Sequence, residues 1–116
     1  ELALNAAKEF NISVLLKGAN SIVADNKKAW QLCRTDSQTA RAGLGDLLSG
    51  FLAGSSAIDL TFHRNITTEF FAKYTLLHSY AAFKCKTGSN AHDIGYELSK
   101  LMRNREMRQI SWKKQF

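Results

Sequence analysis

Two glycines and a carboxylate stand together at Gly43, Leu44, Gly45 and Asp46, at the start of an apolar segment of small residues. If that segment is helical, the N–H groups of its first turn have no intrahelical acceptor and can face a phosphate. A carboxylate there favours the helix dipole but repels a phosphate, which points to holding a metal or taking a proton. The alternative is a tight turn in which Asp46 only caps the helix. Spacing alone leaves both open, because short glycine motifs recur in many folds.

The elements before this motif are predicted from the spacing of apolar residues. Residues 1–10 have helical spacing, and the apolar run from Ile12 to Leu16 is typical of a strand buried on both faces of a parallel sheet. Residues 21–24 and 29–33 flank the polar turn 25–28, so we expect two short antiparallel strands.

Three helices are predicted after the motif: Asp46 to about Ala57, Asn65 or Thr67 to Lys86, and His92 to about Asn104 with Asn90 as its cap. His78 falls on the apolar stripe of the middle helix, where a packing role is favoured over a catalytic one. A strand of a parallel sheet needs a parallel partner, and this chain offers none, so it is not expected to form a complete domain. We therefore expect the C-terminal part of a larger α/β domain.

Composition bounds the class of protein. With 116 residues, 45% hydrophobic and 22% charged, the chain has the balance of one soluble domain. It has no apolar run of roughly 18 residues and no signal-peptide pattern, which favours a cytoplasmic protein without membrane contact. Cys33 and Cys85 are too few for a disulfide framework or a zinc site, so we expect small buried or half-buried thiols and no protein-held metal.

The net charge of +6 is concentrated at one end of the chain. Residues 101–116 carry five basic residues against one acidic residue, which is +4 and leaves +2 for the rest. A basic tail over residues 102–116 could touch RNA, an anionic lipid surface or a partner protein. A solvated terminal segment is favoured, so no nucleic-acid partner is predicted.

Three blocks in order give a family resemblance: Lys17-Gly18-Ala19-Asn20-Ser21 with the hairpin after it, Thr39 to Gly50 around the glycine motif, and Leu77 to Ala82. Together they resemble the ADP- or ATP-dependent NAD(P)H-hydrate dehydratases, a branch of the ribokinase-like superfamily. The resemblance runs from about Ile12 to Leu101. It implies the C-terminal portion of a three-layer α/β/α domain: a buried parallel strand, a β-hairpin and then helices.

The resemblance also implies site residues. Lys17, Gly18, Ala19, Asn20 and Ser21 would bind the adenosine phosphate, as suits a lysine at the carboxyl end of a strand. Gly45 would offer an amide to the anion, with Gly43 permitting the turn. Asp46 would lie at the hydrate and act as general base. Leu44 departs from the family, which most often has serine there, and it suits an anion site only if its side chain points away.

The implied reaction repairs hydrated NADH or NADPH. Phosphorylation of the ring hydroxyl by ADP or ATP makes a good leaving group, and elimination restores the dihydropyridine ring. The implied partners are the nucleotide, a Mg²⁺ ion bound largely through it, the NAD(P)H hydrate, and the preceding part of the domain with the other hydrate contacts. Two alternatives stay open: a ribokinase-like kinase of a vitamin precursor or sugar, and a noncatalytic nucleotide-binding module, or one that forms a homo-oligomer to cover its sheet edge.

Overall fold

The molecule is described by a computed structural model that covers residues 1–32, 40–62 and 65–104. Within these ranges, three strands form one sheet: β1 (Val14–Leu16), β2 (Ile22–Ala24) and β3 (Ala29–Gln31). Four helices accompany them: α1 (Leu2–Phe10), α2 (Leu44–Thr61), α3 (Thr68–Lys84) and α4 (Ala91–Arg103). Cys33, His63 and residues 105–116, which make up most of the predicted basic tail, lie outside the described ranges.

The sheet is an antiparallel meander in the order β1-β2-β3. Val14 is opposite Ala24 in the first pair, and Val23 is opposite Trp30 in the second. The predicted β2–β3 hairpin is confirmed. The prediction of a buried parallel strand without a partner is wrong for the contacts within this chain, because β1 pairs antiparallel with β2 and is half-buried to exposed. The connection of five residues, 17–21, allows only chain reversal, whereas a parallel pair needs a crossover.

Alternating side chains place helices on both faces of this sheet. Ala3 and Ala7 of α1 pack against Ala24, with Val14 and Ile22 beside them. On the opposite face, Ala72 of α3 packs against Val23 and Leu32. The layers are therefore helix, sheet and helix, which makes the chain mixed α/β and consistent with a partial ribokinase-like domain.

Helix α3 is central because it packs on the sheet with one side and on α2 and α4 with the other. The hairpin turn fixes where α3 begins: Asp25 Oδ1 accepts from the backbone N–H groups of Lys27 and Lys28 at 2.8 Å each, and the Thr68 hydroxyl donates to Asp25 Oδ2. These three hydrogen bonds lower the pKa of the Asp25 carboxyl, and the bond from Thr68 has the largest effect. The turn therefore ties the sheet to the first residue of α3.

The helix ends test the sequence predictions directly. The predicted Asn90 cap of α4 is confirmed, and it forms a capping box with Asp93. Thr67 caps α3 by accepting from the Phe70 N–H at 3.2 Å. Helix α2 is longer than predicted, since it begins two residues earlier, at Leu44, and continues to Thr61.

Candidate functional site

The turn before α2 requires a glycine. Gly43 is the N-cap residue of α2 and has φ 80° and ψ −10°, a left-handed conformation that costs a residue with a Cβ roughly 1–2 kcal/mol. A Cβ there would also lie 3.4 Å from the Ala91 Cβ at the start of α4. The expectation that Gly43 permits the turn is confirmed.

Leu44 points into the core. Its side chain is 0% exposed and belongs to the largest apolar cluster of the described residues, together with Ala81, Ala82, Ile94, Leu98 and Leu101. The leucine side chain therefore points away from the solvent side of the turn, as an anion site at this position requires. It also anchors the first turn of α2 to α3 and α4.

Within the described residues, the first turn of α2 presents amides that no backbone carbonyl of the helix accepts from, and an exposed carboxylate. The first helical bond runs from the Leu47 N–H to the Gly43 carbonyl at 3.0 Å, so the Gly45 and Asp46 N–H groups precede the helical ladder. A Cβ on Gly45 would meet nothing within 4 Å, and Asp46 is exposed. Gly43 at the N-cap has no side chain that could cap the helix, and Asp46 is the acidic residue of its first turn.

The second predicted binding segment follows β1. Lys17, Gly18, Ala19 and Asn20 are exposed, and Ser21 is half-buried where β2 begins. Gly18 has no unusual backbone conformation, and a Cβ there would make only an ordinary contact of 3.8 Å with the Asn20 carbonyl oxygen. The segment is open to a ligand, and its lysine ammonium can reach into solvent beside the sheet.

His78 is a buried histidine of α3 whose pKa depends on both segments. Its side chain is 1% exposed. Burial lowers the pKa of His78 to about 4, the positive charge of Lys17 lowers it as well, and a hydrogen bond with the Leu44 backbone opposes them. Lys17 and the first turn of α2 therefore both act on one buried imidazole, although they lie 27 residues apart in sequence.

Arg41 holds the motif from its other side. Its Nη1 donates to the carbonyl of Ser89 in the loop between α3 and α4, and the Leu44 N–H reaches back to the Arg41 carbonyl at 3.4 Å. The turn is thus fixed by contacts to the loop before α4 and to α3, in place of a side-chain cap.

Sequence reasoning did not assign a site role to His78 or Arg41. The histidine is buried as predicted, but its Nε2 has no hydrogen-bond partner within the described residues. The sequence did contain a signal: a polar ring on a helix that also buries small residues such as Thr75, Ala81 and Ala82. A buried ring N–H needs a hydrogen-bond acceptor. Trp30 is half-exposed with Lys28 Nζ 5.4 Å from its ring centroid, and His92 is exposed.

Glu97 and Cys85 also have shifted pKa values, and both shifts have structural causes. Burial opposes charge on Glu97, but hydrogen bonds from Lys84 and Lys100 at 3.3 and 3.4 Å outweigh it and lower the pKa of that carboxyl. Cys85 is a half-buried free thiol as predicted, and burial raises its pKa. No group of three His, Cys, Asp or Glu side chains that could hold a metal occurs in these ranges.

The fold and the site together define a class: a mixed α/β protein with an exposed lysine after a strand and a helix N-terminus that follows a left-handed glycine. Both features are typical of phosphate-binding α/β proteins. The model of the Carb_kinase family, described as NAD(P)H-hydrate dehydratase, matches residues 1–103, and the chain belongs to this family. The resemblance inferred from the sequence is thereby confirmed. No curated protein matches the chain. In the described ranges, none of the helices could span a membrane.

Proposed function

We propose that this chain supplies the phosphate and general-base side of a nucleotide-dependent NAD(P)H-hydrate dehydratase. The observation that supports it most is the first turn of α2, where the exposed Gly45 and Asp46 precede the helical ladder, together with the exposed Lys17 after β1. An ammonium and bare amide N–H groups are the donors that a nucleotide phosphate prefers. Asp46 is exposed on the same turn, where a ligand can reach its carboxylate.

In the proposed site, Lys17 to Ser21 bind the adenosine phosphate, Gly43 shapes the turn, and the Gly45 N–H donates to the phosphoryl group. The Asp46 carboxylate accepts the proton of the hydrate's hydroxyl while that oxygen attacks the terminal phosphorus of ADP or ATP. The bond from that phosphorus to the bridging oxygen breaks, and AMP or ADP leaves. The C–O bond of the phosphorylated hydrate then breaks, phosphate leaves, and loss of a ring proton restores the double bond. The amide donors stabilise the charge that the phosphoryl group carries in transfer.

Mg²⁺ fits this site as a companion of the nucleotide. The described residues contain no cluster of three metal ligands, whereas phosphate oxygens commonly hold Mg²⁺ together with one or two carboxylates. When bound, the ion would neutralise phosphate charge. The residues of this chain would then orient the nucleotide through Lys17 and the Gly45 amide and move the proton through Asp46.

The remaining hydrate contacts are proposed to come from the preceding part of the domain. Within the described residues, β1 has a strand partner on one edge only, and Phe10, Ile12 and Leu16 expose between 43% and 65% of their surface nearby. An open edge beside apolar side chains suits a further strand of the same domain. On this proposal residues 1–116 are the C-terminal part of a cytoplasmic enzyme; a second copy on the same edge would instead give a homo-oligomer.

The function is tested with hydrated NADH and hydrated NADPH. The protein that contains this chain is expected to restore the absorbance of the reduced nicotinamide ring only when ADP or ATP is added, with release of phosphate. A nucleotide-dependent phosphorylation of an added vitamin precursor or sugar, without restored absorbance, would assign the site to a small-molecule kinase. Nucleotide binding with neither reaction would indicate a noncatalytic module.

Gly45→Ala is expected to strengthen the fold and weaken the site. Alanine is favoured over glycine in a helix by about 0.5–1 kcal/mol, and the new methyl group meets nothing in the chain. The same methyl would lie where the proposed phosphate approaches, so the affinity for ADP or ATP should fall about tenfold, the equivalent of one hydrogen bond. Thermal unfolding and calorimetric titration measure the two effects.

Gly50→Ala is the matched control for this variant. Gly50 lies on the same helix, and a Cβ there also meets nothing within 4 Å. It should gain stability and keep its nucleotide affinity. Equal affinities in the two variants would contradict a phosphate contact at Gly45.

A further inference from the structure

Two tyrosines and two lysines lie together where α3 packs against α4. Lys84 Nζ is 5.9 Å from the ring centroid of Tyr80 on α3, and Lys100 Nζ is 4.6 Å from that of Tyr96 on α4. Both ammonium groups also bind Glu97, Lys84 at Oε1 with 3.3 Å and Lys100 at Oε2 with 3.4 Å. These contacts join the last turn of α3 to α4 and hold the two lysines beside each other.

Two aromatic rings of this region are largely open to solvent. Phe83 is 60% exposed and Tyr96 is 62% exposed. Phe83 stacks on Tyr80, with the ring centroids 6.4 Å apart, and Tyr80 packs against the largest apolar cluster. Exposed aromatic side chains that are already held in place lose little conformational freedom on binding, and such residues are enriched at protein interfaces. We call Tyr80, Phe83, Lys84, Tyr96 and Lys100 the aromatic–lysine surface.

The charge around the aromatic–lysine surface is positive. Residues 84–103 carry four basic residues and two acidic residues. Both acids are engaged within the chain, since Asp93 accepts from the Asn90 N–H at 2.9 Å and Glu97 lies between the two lysines. Arg103 is exposed and follows Lys100 by three residues, so it lies on the same side of α4. An anionic partner therefore complements this surface.

The contacts favour carboxylates over nucleic acid as the anion. The lysine pair already binds a carboxylate, with one ammonium group at each oxygen of Glu97. Single-stranded nucleic acid would need open ring faces for base stacking. One face of each ring is instead covered by a lysine ammonium group or by a neighbouring ring.

Neither the C-terminal segment of the chain nor a second copy complements this charge. Residues 105–116 carry four basic residues and one acidic residue, so they repel the surface. A second copy that met the surface across a twofold axis would place lysines opposite lysines. A different protein with acidic side chains remains as the occupant that the charges fit.

We propose that the aromatic–lysine surface is a docking site for an acidic segment of another protein. The segment places aspartate or glutamate side chains on Lys84 and Lys100 and an apolar side chain on the rings of Phe83 and Tyr96. This interaction adds a protein partner to the proposed enzyme. It uses none of the residues proposed for the nucleotide or for the hydrate.

Fluorescence anisotropy with a labelled synthetic peptide tests the proposal on the protein that contains this chain. A peptide that alternates glutamate with leucine should bind, and the same peptide with glutamine in place of glutamate should bind about tenfold more weakly. Joint substitution of Phe83→Ala and Tyr96→Ala should weaken binding of the acidic peptide about tenfold. Joint substitution of Lys84→Gln and Lys100→Gln should weaken it about fivefold, with a smaller dependence on salt.

Lys8→Gln together with Lys27→Gln is the matched control. It removes the same charge from two exposed lysines outside the surface and should leave the affinity unchanged. In the wild type, the ring resonances of Phe83 and Tyr96 should shift when the acidic peptide is added, a readout that needs no variant. Failure of the acidic peptide to bind, or equal loss in the two lysine pairs, would overturn the proposal. Tighter binding of oligouridylate through Lys84 and Lys100 would assign the surface to nucleic acid instead.

Discussion

Asp46→Asn is expected to lower the turnover of hydrated NADH or NADPH by about a thousandfold, within the range that a positioned general base contributes. Asp46 lies in the first turn of α2, two residues after Leu44, and its carboxylate is exposed. Asparagine keeps the size and polarity but does not accept a proton. The free energy of unfolding should change by no more than about 0.5 kcal/mol, since the position is exposed.

Nucleotide binding separates this role from a structural one. The carboxylate repels the phosphate, so Asp46→Asn should bind ADP or ATP as well as the wild type or slightly better, by calorimetric titration. Glu69→Gln is the matched control, because Glu69 is also an acid in the first turn of a helix, α3, but lies outside the proposed site. Unchanged turnover in Asp46→Asn would remove the proposed base from the mechanism.

Acidification from pH 7 to pH 4.5 is expected to lower the free energy of unfolding by about 2 kcal/mol through His78 alone. The folded pKa of His78 is about 4, below the ordinary value of 6.5, mainly because the ring is buried. The unfolded chain therefore binds more protons between these two values. Stability is present above pH 6.5 and is lost as the pH falls toward 4.

Urea unfolding at a series of pH values measures this loss, and His78→Phe should flatten it. The carboxyls of Asp25 and Glu97 also have lowered pKa values, but their contributions are lost below their ordinary values of 3.8 and 4.5, under most of this window. The difference between wild type and variant cancels them. Parallel stability curves for the two proteins between pH 4.5 and 7 would contradict a neutral buried His78.

Local signals explain which parts of the fold were predictable from the sequence. Asn90 and Asp93 have the spacing of a capping box, and the polar residues 25–28 form the hairpin turn, because both structures depend on neighbours in sequence. The pairing of β1 was predicted wrongly. An apolar run reports burial but not the direction of the partner strand, which the short 17–21 connection decides.

The residue types of the candidate site were predictable from the sequence, but the tertiary interactions around them were not. The Gly43–Asp46 spacing and Lys17 after a strand indicated phosphate chemistry. The sequence did not indicate His78, 32 residues beyond Asp46, whose pKa depends on both Lys17 and the Leu44 backbone. The start of α2 at Leu44 likewise depends on the left-handed conformation of Gly43, which the sequence permits without requiring. Tertiary packing supplies both pieces of information.

Helix α2 has little tendency to form by itself. Three of its 18 residues are glycines, which together cost about 3 kcal/mol relative to alanine, and its two charged residues, Asp46 and Asp59, are both acidic. Its helical state therefore comes from burying Leu44, Leu48 and Leu52 on its neighbours. Local unfolding of α2 would remove the common orientation of the amides in its first turn. A ligand bound at those amides would draw its affinity from the same free energy that keeps the helix folded, and ligand binding and helix order would be thermodynamically linked.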